Sequence, residues 1–346
     1  MSNEARIVEI IGCMKALRKA AYYKEETLQG LLNLQDEVLN LTFAEGHAER
    51  MRLSNVVQHF EDLNSEYGNV ADDVLERFKV ICDKIGGKIA MEFSGQQGER
   101  TVFRILETIK TKHISLRNTE LNLEANRAEL DSIIITPKAI YHIEIKNPKH
   151  DTTIDAIGNY YRTDNHMYYD CNLGERISNH SHILRNVIGE SHCLDDAKPL
   201  VIKSFIVSAN SRAEFVNQFK YIESCYFSQL PFIIDGYDGK DIYTPEDMDA
   251  IAACIREAEC KRTYPIGFDV DQFRFDFATL MATLEDVAEQ KINAEEKDAI
   301  AANTESTIIS SPTPGFWGAV LKYVGCALTG VAVGLFVTKG GTFSWR

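Results

Sequence analysis

The sequence predicts an α/β protein: a mixed sheet flanked by helices, preceded by an all-α helical hairpin or coiled coil and followed by a C-terminal hydrophobic helix. Three observations carry this expectation. Apolar residues recur at heptad spacing through residues 5 to 92, two β-rich runs flank Pro137-Lys138, and the stretch from Gly315 to Val337 is apolar apart from Lys322.

In the N-terminal region Ile7, Ile10, Met14, Leu17, Ala21, Leu28, Leu31 and Val38 keep a three-four spacing. After Glu45-Gly46-His47 the pattern restarts with Leu53, Val56, Phe60, Leu63, Tyr67, Val70, Val74 and Ile81, with Gly68-Asn69 as an expected bend. Two apolar seams joined by a glycine-containing break fit an antiparallel hairpin or a coiled-coil arm over residues 1–92. Such an arm would make the protein a homo-oligomer or sense a partner; the alternative is a helical layer packed on the rest of the chain.

The most informative segment runs from Glu129 to Asn147. Leu130 to Thr136 and Ala139 to Lys146 are β-rich, and proline with a short polar partner between them reads as a tight turn. With Pro137-Lys138 as the loop, Ile135 faces Ile140, Ile133 faces His142 and Asp131 faces Glu144. Alternation along a strand then puts Asp131, Glu144 and Lys146 on one side of the sheet. Two carboxylates that close repel unless a cation sits between them, and a hard divalent ion with oxygen ligands suits the gap. Lys146 would orient or deprotonate a water, or neutralise charge at a phosphate. The alternative is a solvated ladder of ion pairs on an edge hairpin.

Upstream, Gly95-Gln96-Gln97-Gly98-Glu99-Arg100 opens a helical pattern carried by Val102, Phe103, Leu106 and Ile109. Together with the strand pair, this block resembles NERD, the nuclease-related domain of the PD-(D/E)xK superfamily, which shows a GxxGE helix start, a strand containing Asp and a strand ending in E-x-K-N. Gly98, Glu99, Asp131, Glu144, Lys146 and Asn147 match in order. The resemblance implies a restriction-endonuclease-like fold, Asp131 and Glu144 as ligands of Mg2+ (or Mn2+), Lys146 as catalytic lysine and Glu99 as a further carboxylate at the site. A first-turn acid favoured by the helix dipole is the other reading of Glu99. The family continues into an N-P-x-x-Q-like helix; here Asn172-Leu173-Gly174-Glu175-Arg176 stands in that place, with leucine for proline and Arg176 where glutamine is expected. Arg176 and Lys149 are the candidates for substrate phosphate, an arginine being able to grip one bidentately.

Among 346 residues, 45% hydrophobic and 25% charged, the formal charge of -14 argues against a general nucleic-acid coat protein. It leaves room for a local basic groove. The eight cysteines show no CxxC, and His180-Ser181-His182 with His192-Cys193 lacks the spacing of a zinc site. The N-terminus is polar and helical in period rather than a signal peptide, so a reducing cytoplasmic setting with free thiols is expected.

Further along, helix is expected from Gly174 to Ile188, strand from Leu200 to Ser208 and from Tyr226 to Ile234, and helix from Thr244-Pro245-Glu246-Asp247 to about Cys260 and again from Phe273 to about Lys291. Residues 93–292 thus form the nuclease-like domain and 293–314 a linker. Residues 315–337, at about 1.5 Å per residue, would span a bilayer core of about 30 Å and anchor the catalytic domain on the cytoplasmic face of a membrane. A buried tail or an interfacial helix is the alternative for that stretch. The expected activity is a magnesium-dependent endonuclease acting on nucleic acid, DNA before RNA, and the resemblance extends this to prokaryotic antiviral defence. The competing class is a non-catalytic membrane-tethered scaffold that binds nucleic acid or a partner.

Overall fold

The structure is a computed structural model, and it describes residues 2–44, 46–67, 72–123, 126–195 and 197–285. In chain order the helices are α1 (Asn3–Cys13), α2 (Lys24–Thr42), α3 (Leu53–Tyr67), α4 (Asp72–Leu106), α5 (Leu173–Glu190), α6 (Leu230–Asp235), α7 (Pro245–Glu257) and α8 (Val270–Leu280). The strands are β1 (Ala21–Tyr23), β2 (Ile114–Leu123), β3 (Asn126–Ile135), β4 (Ile140–Lys146), β5 (Thr152–Ile154), β6 (Asn159–Arg162), β7 (Tyr168–Asn172), β8 (Ile202–Ser208), β9 (Phe215–Asn217), β10 (Glu223–Tyr226) and β11 (Thr263–Pro265).

Two compact units are distinguishable. The first comprises, among the described residues, 2–14, 37–82 and 270–285 and is helical. Its centre is aromatic: Phe78 stacks on Phe273 at 5.2 Å and meets Phe60 edge-on at 5.8 Å. The fully buried Asp276 is held there by a two-pronged Arg77 contact of 3.2 and 2.9 Å, the geometry that makes a buried carboxylate tolerable.

The second unit, residues 15–36 and 83–269, contains the mixed sheet. Strand order is β10-β8-β4-β3-β2, with β10, β8 and β4 parallel and β4, β3 and β2 antiparallel. The β3–β4 hairpin pairs Ile135 with Ile140 and Ile133 with His142, the register expected from a Pro137-Lys138 loop. Alternation sorts the apolar residues. Ile133, Ile135 and Ile140 pack with Ile183, Leu184 and Val187 of α5 and Met248, Ile251 and Ile255 of α7, and Leu130 joins them across the interruption of the β2–β3 ladder at Asn118. Ile134, Tyr141, Ile143 and Ile145 pack on the other face with Val102 and Leu106 of α4 and Leu230 and Ile234 of α6. Burial on both faces explains why β3 and β4 read as near-continuous isoleucine runs. A smaller sheet, β7-β6-β5-β9, follows the hairpin.

Helix ends follow local chemistry. The Asn172 side chain accepts the Glu175 amide at 2.8 Å and starts α5, and Thr244 and Asp247 close a reciprocal capping box on α7.

Three expectations need correction. The glycine block does not open a helix: α4 runs unbroken for 35 residues, so Gly95, Gly98 and Glu99 lie in its interior. That placement removes the first-turn dipole reading of Glu99. The run from Tyr226 to Ile234 is not strand; β10 ends at Tyr226, whose amide bonds the Gln229 side chain at 2.9 Å, and Pro231 sits in the first turn of α6. The first heptad seam is not one helix either. It breaks after Cys13, Leu17 takes φ 51°, and Ala21–Tyr23 pair as β1 with β11. Of the seam residues, Ile10, Leu31, Val38, Val56 and Phe60 are buried within the single chain, which gives the expected homo-oligomer no support.

The expected linker at 293–314 and apolar stretch at 315–337 lie outside the described residues. Among the described residues no helix is long and apolar enough to cross a membrane. Cys13, Cys82, Cys193, Cys225, Cys254 and Cys260 are thiols rather than disulfides.

Candidate functional site

At the open end of the hairpin, β3 and β4 bring charged side chains onto the face covered by α5. Glu144 is fully buried, and its Oε1 meets Lys146 Nζ at 2.6 Å and an Arg176 guanidinium nitrogen at 3.7 Å. Asp131 is half-buried, and its Oδ2 accepts the Ile145 amide at 2.6 Å, tying it to the strand that bears Glu144. Burial pushes the Glu144 carboxyl upward, but Lys146, His180 and Arg176 outweigh it and hold it well below the usual carboxylate range. Asp131 goes the other way: burial and the adjacent Glu144 charge push it up to about 8, although one edge stays open to solvent. Each carboxylate thus opposes ionisation of the other, and a divalent cation beside the pair would remove that conflict. By this measure Asp131 and Glu144 fit a hard divalent ion.

Behind the carboxylates lies a second group. His142 precedes Glu144 by two residues on the same face of β4, and His180 of α5 packs over it, the imidazole centroids 5.8 Å apart. His180 Nδ1 stands 3.7 Å from Glu144 Oε2, too far for a hydrogen bond. Burial pushes His142 down to about 4, so its ring is neutral. Its Nδ1 contacts Ser181 Oγ at 3.2 Å and Ser204 Oγ at 3.4 Å. His142 Nε2, Glu144 Oε2 and His180 Nδ1 are all buried without a hydrogen-bond partner. Leaving such a group unpaired costs about 1–3 kcal/mol each, so three in one place require an explanation.

Glu99 approaches from α4. Asn118 Nδ2 donates to its Oε2 at 3.4 Å, and the Glu99 charge contributes to the elevation of Asp131. Asn118 is a left-handed residue (φ 50°) between Arg117, paired with Ser132, and Thr119, paired with Leu130. It therefore stands across from Asp131 where the ladder is interrupted. The approach of α4 depends on Gly98, because a Cβ there would lie 2.7 Å from the Cβ of Asn147. Asn147 in turn donates its amide to the Ser94 carbonyl at 2.8 Å. The glycine and asparagine that flank the acidic residues in sequence are thus the two sides of one helix–strand contact. Glu99 also lines a cavity of about 410 Å³ with Lys24, Glu92, Glu129 and Arg262; Asp131, Glu144 and Lys146 do not line it.

The hairpin, α5 and α4 therefore bring together Asp131, Glu144, Lys146 and Arg176, with Glu99 within electrostatic reach. Lys149 is exposed in the segment after β4, and no contact among the described residues joins it to them. Sequence reasoning passed over His142 and Asn118. The hairpin register carried a signal for His142, since it shares a face with Glu144. In sequence His180 stands beside His182 and near His192, whereas in the fold it meets His142 and Glu144 of β4.

Residues 94–209 match the family model described as NERD, nuclease-related domain. No curated protein and no solved structure matches the chain.

Proposed function

We propose, for a chain whose residues 94–209 form a nuclease-related domain, that it is a metal-dependent nuclease hydrolysing phosphodiester bonds, with DNA the first substrate to test. The observation that carries this reading is the convergence of Asp131, Glu144 and Lys146 at the end of the hairpin, two carboxylates in electrostatic conflict with an ammonium 2.6 Å from one of them. Asp131 and Glu144 would hold Mg2+ or Mn2+, which when bound supplies Lewis acidity toward a phosphoryl oxygen and a more acidic water. Lys146 neutralises charge developing on the phosphate or orients the attacking water. The half-exposed Arg176 offers a planar donor pair to a second phosphate oxygen. Glu99, steadied by Asn118, adds negative charge beside Asp131.

The test is cleavage of plasmid DNA, linear DNA and RNA by the purified chain with Mg2+ or Mn2+, repeated with Glu144→Ala and Lys146→Ala. Cleavage lost in both variants supports the reading; a pure protein that cuts none of the three with either ion overturns it.

One observation favours the non-catalytic alternative. Glu144 Oε1 is already compensated by two cations, Lys146 and Arg176, without a metal. A binding scaffold would retain nucleic acid in fluorescence anisotropy with EDTA present and with Glu144 replaced.

A further inference from the structure

We infer that His142, Glu144 and His180 form a binding site for a borderline divalent transition-metal ion of the zinc class, held by two imidazoles and one carboxylate between β4 and α5. The three ligand atoms lie within 4.8 Å of one another, and all three residues are buried, at 0%, 0% and 4% exposure. Each presents an atom without a hydrogen-bond partner, namely His142 Nε2, Glu144 Oε2 and His180 Nδ1. Three buried polar atoms without hydrogen-bond partners that converge on one point are what a cation site presents when its ligands are viewed alone.

The tautomer of His142 follows from its neighbours. Ser181 has one hydroxyl proton, and it goes to the Ile177 carbonyl at 2.9 Å, one helical turn back. With that proton on Ile177, the Ser181 oxygen, 3.2 Å from His142 Nδ1, accepts, an arrangement that places the imidazole proton on Nδ1 and the open lone pair on Nε2. A hydrogen bond that fixes the far nitrogen while the near one faces a metal is the usual outer support of a histidine ligand. Ser204, 2.5 Å from Ser181 Oγ, completes that support.

Spacing agrees as well. Ligands about 2.0–2.1 Å from a tetrahedral ion lie roughly 3.3 Å apart, and the 3.7 Å between His180 Nδ1 and Glu144 Oε2 is close to that. Two imidazoles with a carboxylate suit zinc and its borderline neighbours, whereas magnesium takes oxygen ligands. The site is distinct from the carboxylate pair although it shares Glu144: Oε2 turns to the histidines, Oε1 to Lys146. An ion here would fasten α5 to β4 and fix the Glu144 rotamer, which makes it a positioning element for whatever Oε1 does. The inference goes beyond the nuclease reading and does not require that any bond be cut.

The experiment uses the full chain, stripped with a chelator and dialysed, with no nucleic acid present. Zn2+ is titrated against a chromogenic competitor, and Co2+ binding is followed by visible absorption. The expected result is one tight Zn2+ equivalent, undiminished by millimolar Mg2+, and a Co2+ spectrum without thiolate charge-transfer bands. His180→Gln and His142→Gln should each weaken Zn2+ binding about 100-fold or more. Ser181→Ala, which leaves every ligand in place, should weaken it about 10–100-fold. Circular dichroism and thermal unfolding identify any variant that fails to fold. The inference is overturned if folded His180→Gln and Ser181→Ala proteins bind Zn2+ as tightly as the parent, or if the strong equivalent shows thiolate bands. A chain that binds Zn2+ as expected yet cuts nothing would sink the nuclease reading alone, and one that cuts DNA with Mg2+ but binds no Zn2+ would sink this inference alone.

Discussion

Gly98 of α4 lies against Asn147 at the end of β4, so closely that a Cβ on the glycine would stand 2.7 Å from the asparagine Cβ and 3.4 Å from that of Ala209. Neither atom is the end of a flexible chain, so a side chain at 98 must push the helix off the sheet. Overpacking of this kind costs about 1–3 kcal/mol, more than the roughly 1 kcal/mol that Gly→Ala adds inside a helix. Gly98→Ala should therefore destabilise the protein, while Gly95→Ala, with open space around its Cβ, should stabilise it by about 0.5–1 kcal/mol. Urea midpoints of the two variants decide this. Equal shifts in the same direction would rule out the close-contact account.

Asn118 adopts a left-handed conformation opposite Asp131 and donates to Glu99. Backbone and side chain separate cleanly here. Asn118→Gly should keep stability within about 0.5 kcal/mol, whereas Asn118→Ala should cost about 1–2 kcal/mol for placing a Cβ at positive φ. Both remove the amide that holds Glu99, so both should lower cleavage alike. If Asn118→Gly cleaves like the parent, the Glu99 contact has no role in the reaction.

Asp131 and Lys146 should differ in how they fail. Asp131→Asn is expected to raise the Mg2+ concentration needed for cleavage, because it removes an anionic ligand. Lys146→Ala is expected to lower kcat by about 100-fold or more with little change in that requirement. Activity measured across an Mg2+ series tests both. A Lys146→Ala protein rescued by excess Mg2+ would recast the lysine as an aid to metal binding.

Asp235 accepts the Thr111 amide and hydroxyl at 2.8 Å each and the Lys110 amide at 3.1 Å. Partial burial pushes its carboxyl up, but these donors outweigh it and leave the folded-state value below the ordinary one. A group lowered on folding contributes stability above its unfolded value, and that contribution disappears as pH falls through the folded one. Asp235→Ala should thus cost about 1–3 kcal/mol at pH 7, and the gap to the parent should narrow below about pH 4. Urea titrations at pH 7 and pH 3 supply the comparison. A gap that persists undiminished at acid pH would assign the loss to packing instead.

Some of this was legible in the residues themselves. Pro137-Lys138 set the hairpin register because a two-residue loop leaves one pairing, and alternation along β4 then put Glu144 and Lys146 on the face of His142, opposite Ile133. Thr244-Pro245 with Asp247 marked the start of α7 because a cap is satisfied by residues three apart. Asn172 did the same for α5. These are local effects, decided within one turn of helix or across one tight loop.

What the tertiary structure alone decided involves partners far apart in the chain. Whether Gly95 to Gly98 begin a helix or lie within one depends on packing along α4, since glycine's helix penalty is small beside burial of Val102 and Leu106. The break after Cys13 is set by the pairing of Ala21–Tyr23 with residues more than two hundred positions on, which no local periodicity reports. The meeting of His142 and Glu144 with His180 belongs to the same class. One strand aligned the first two, but only the docking of α5 on the sheet brought the third within 3.7 Å, because helix-to-sheet distance is fixed by the side chains packed between them.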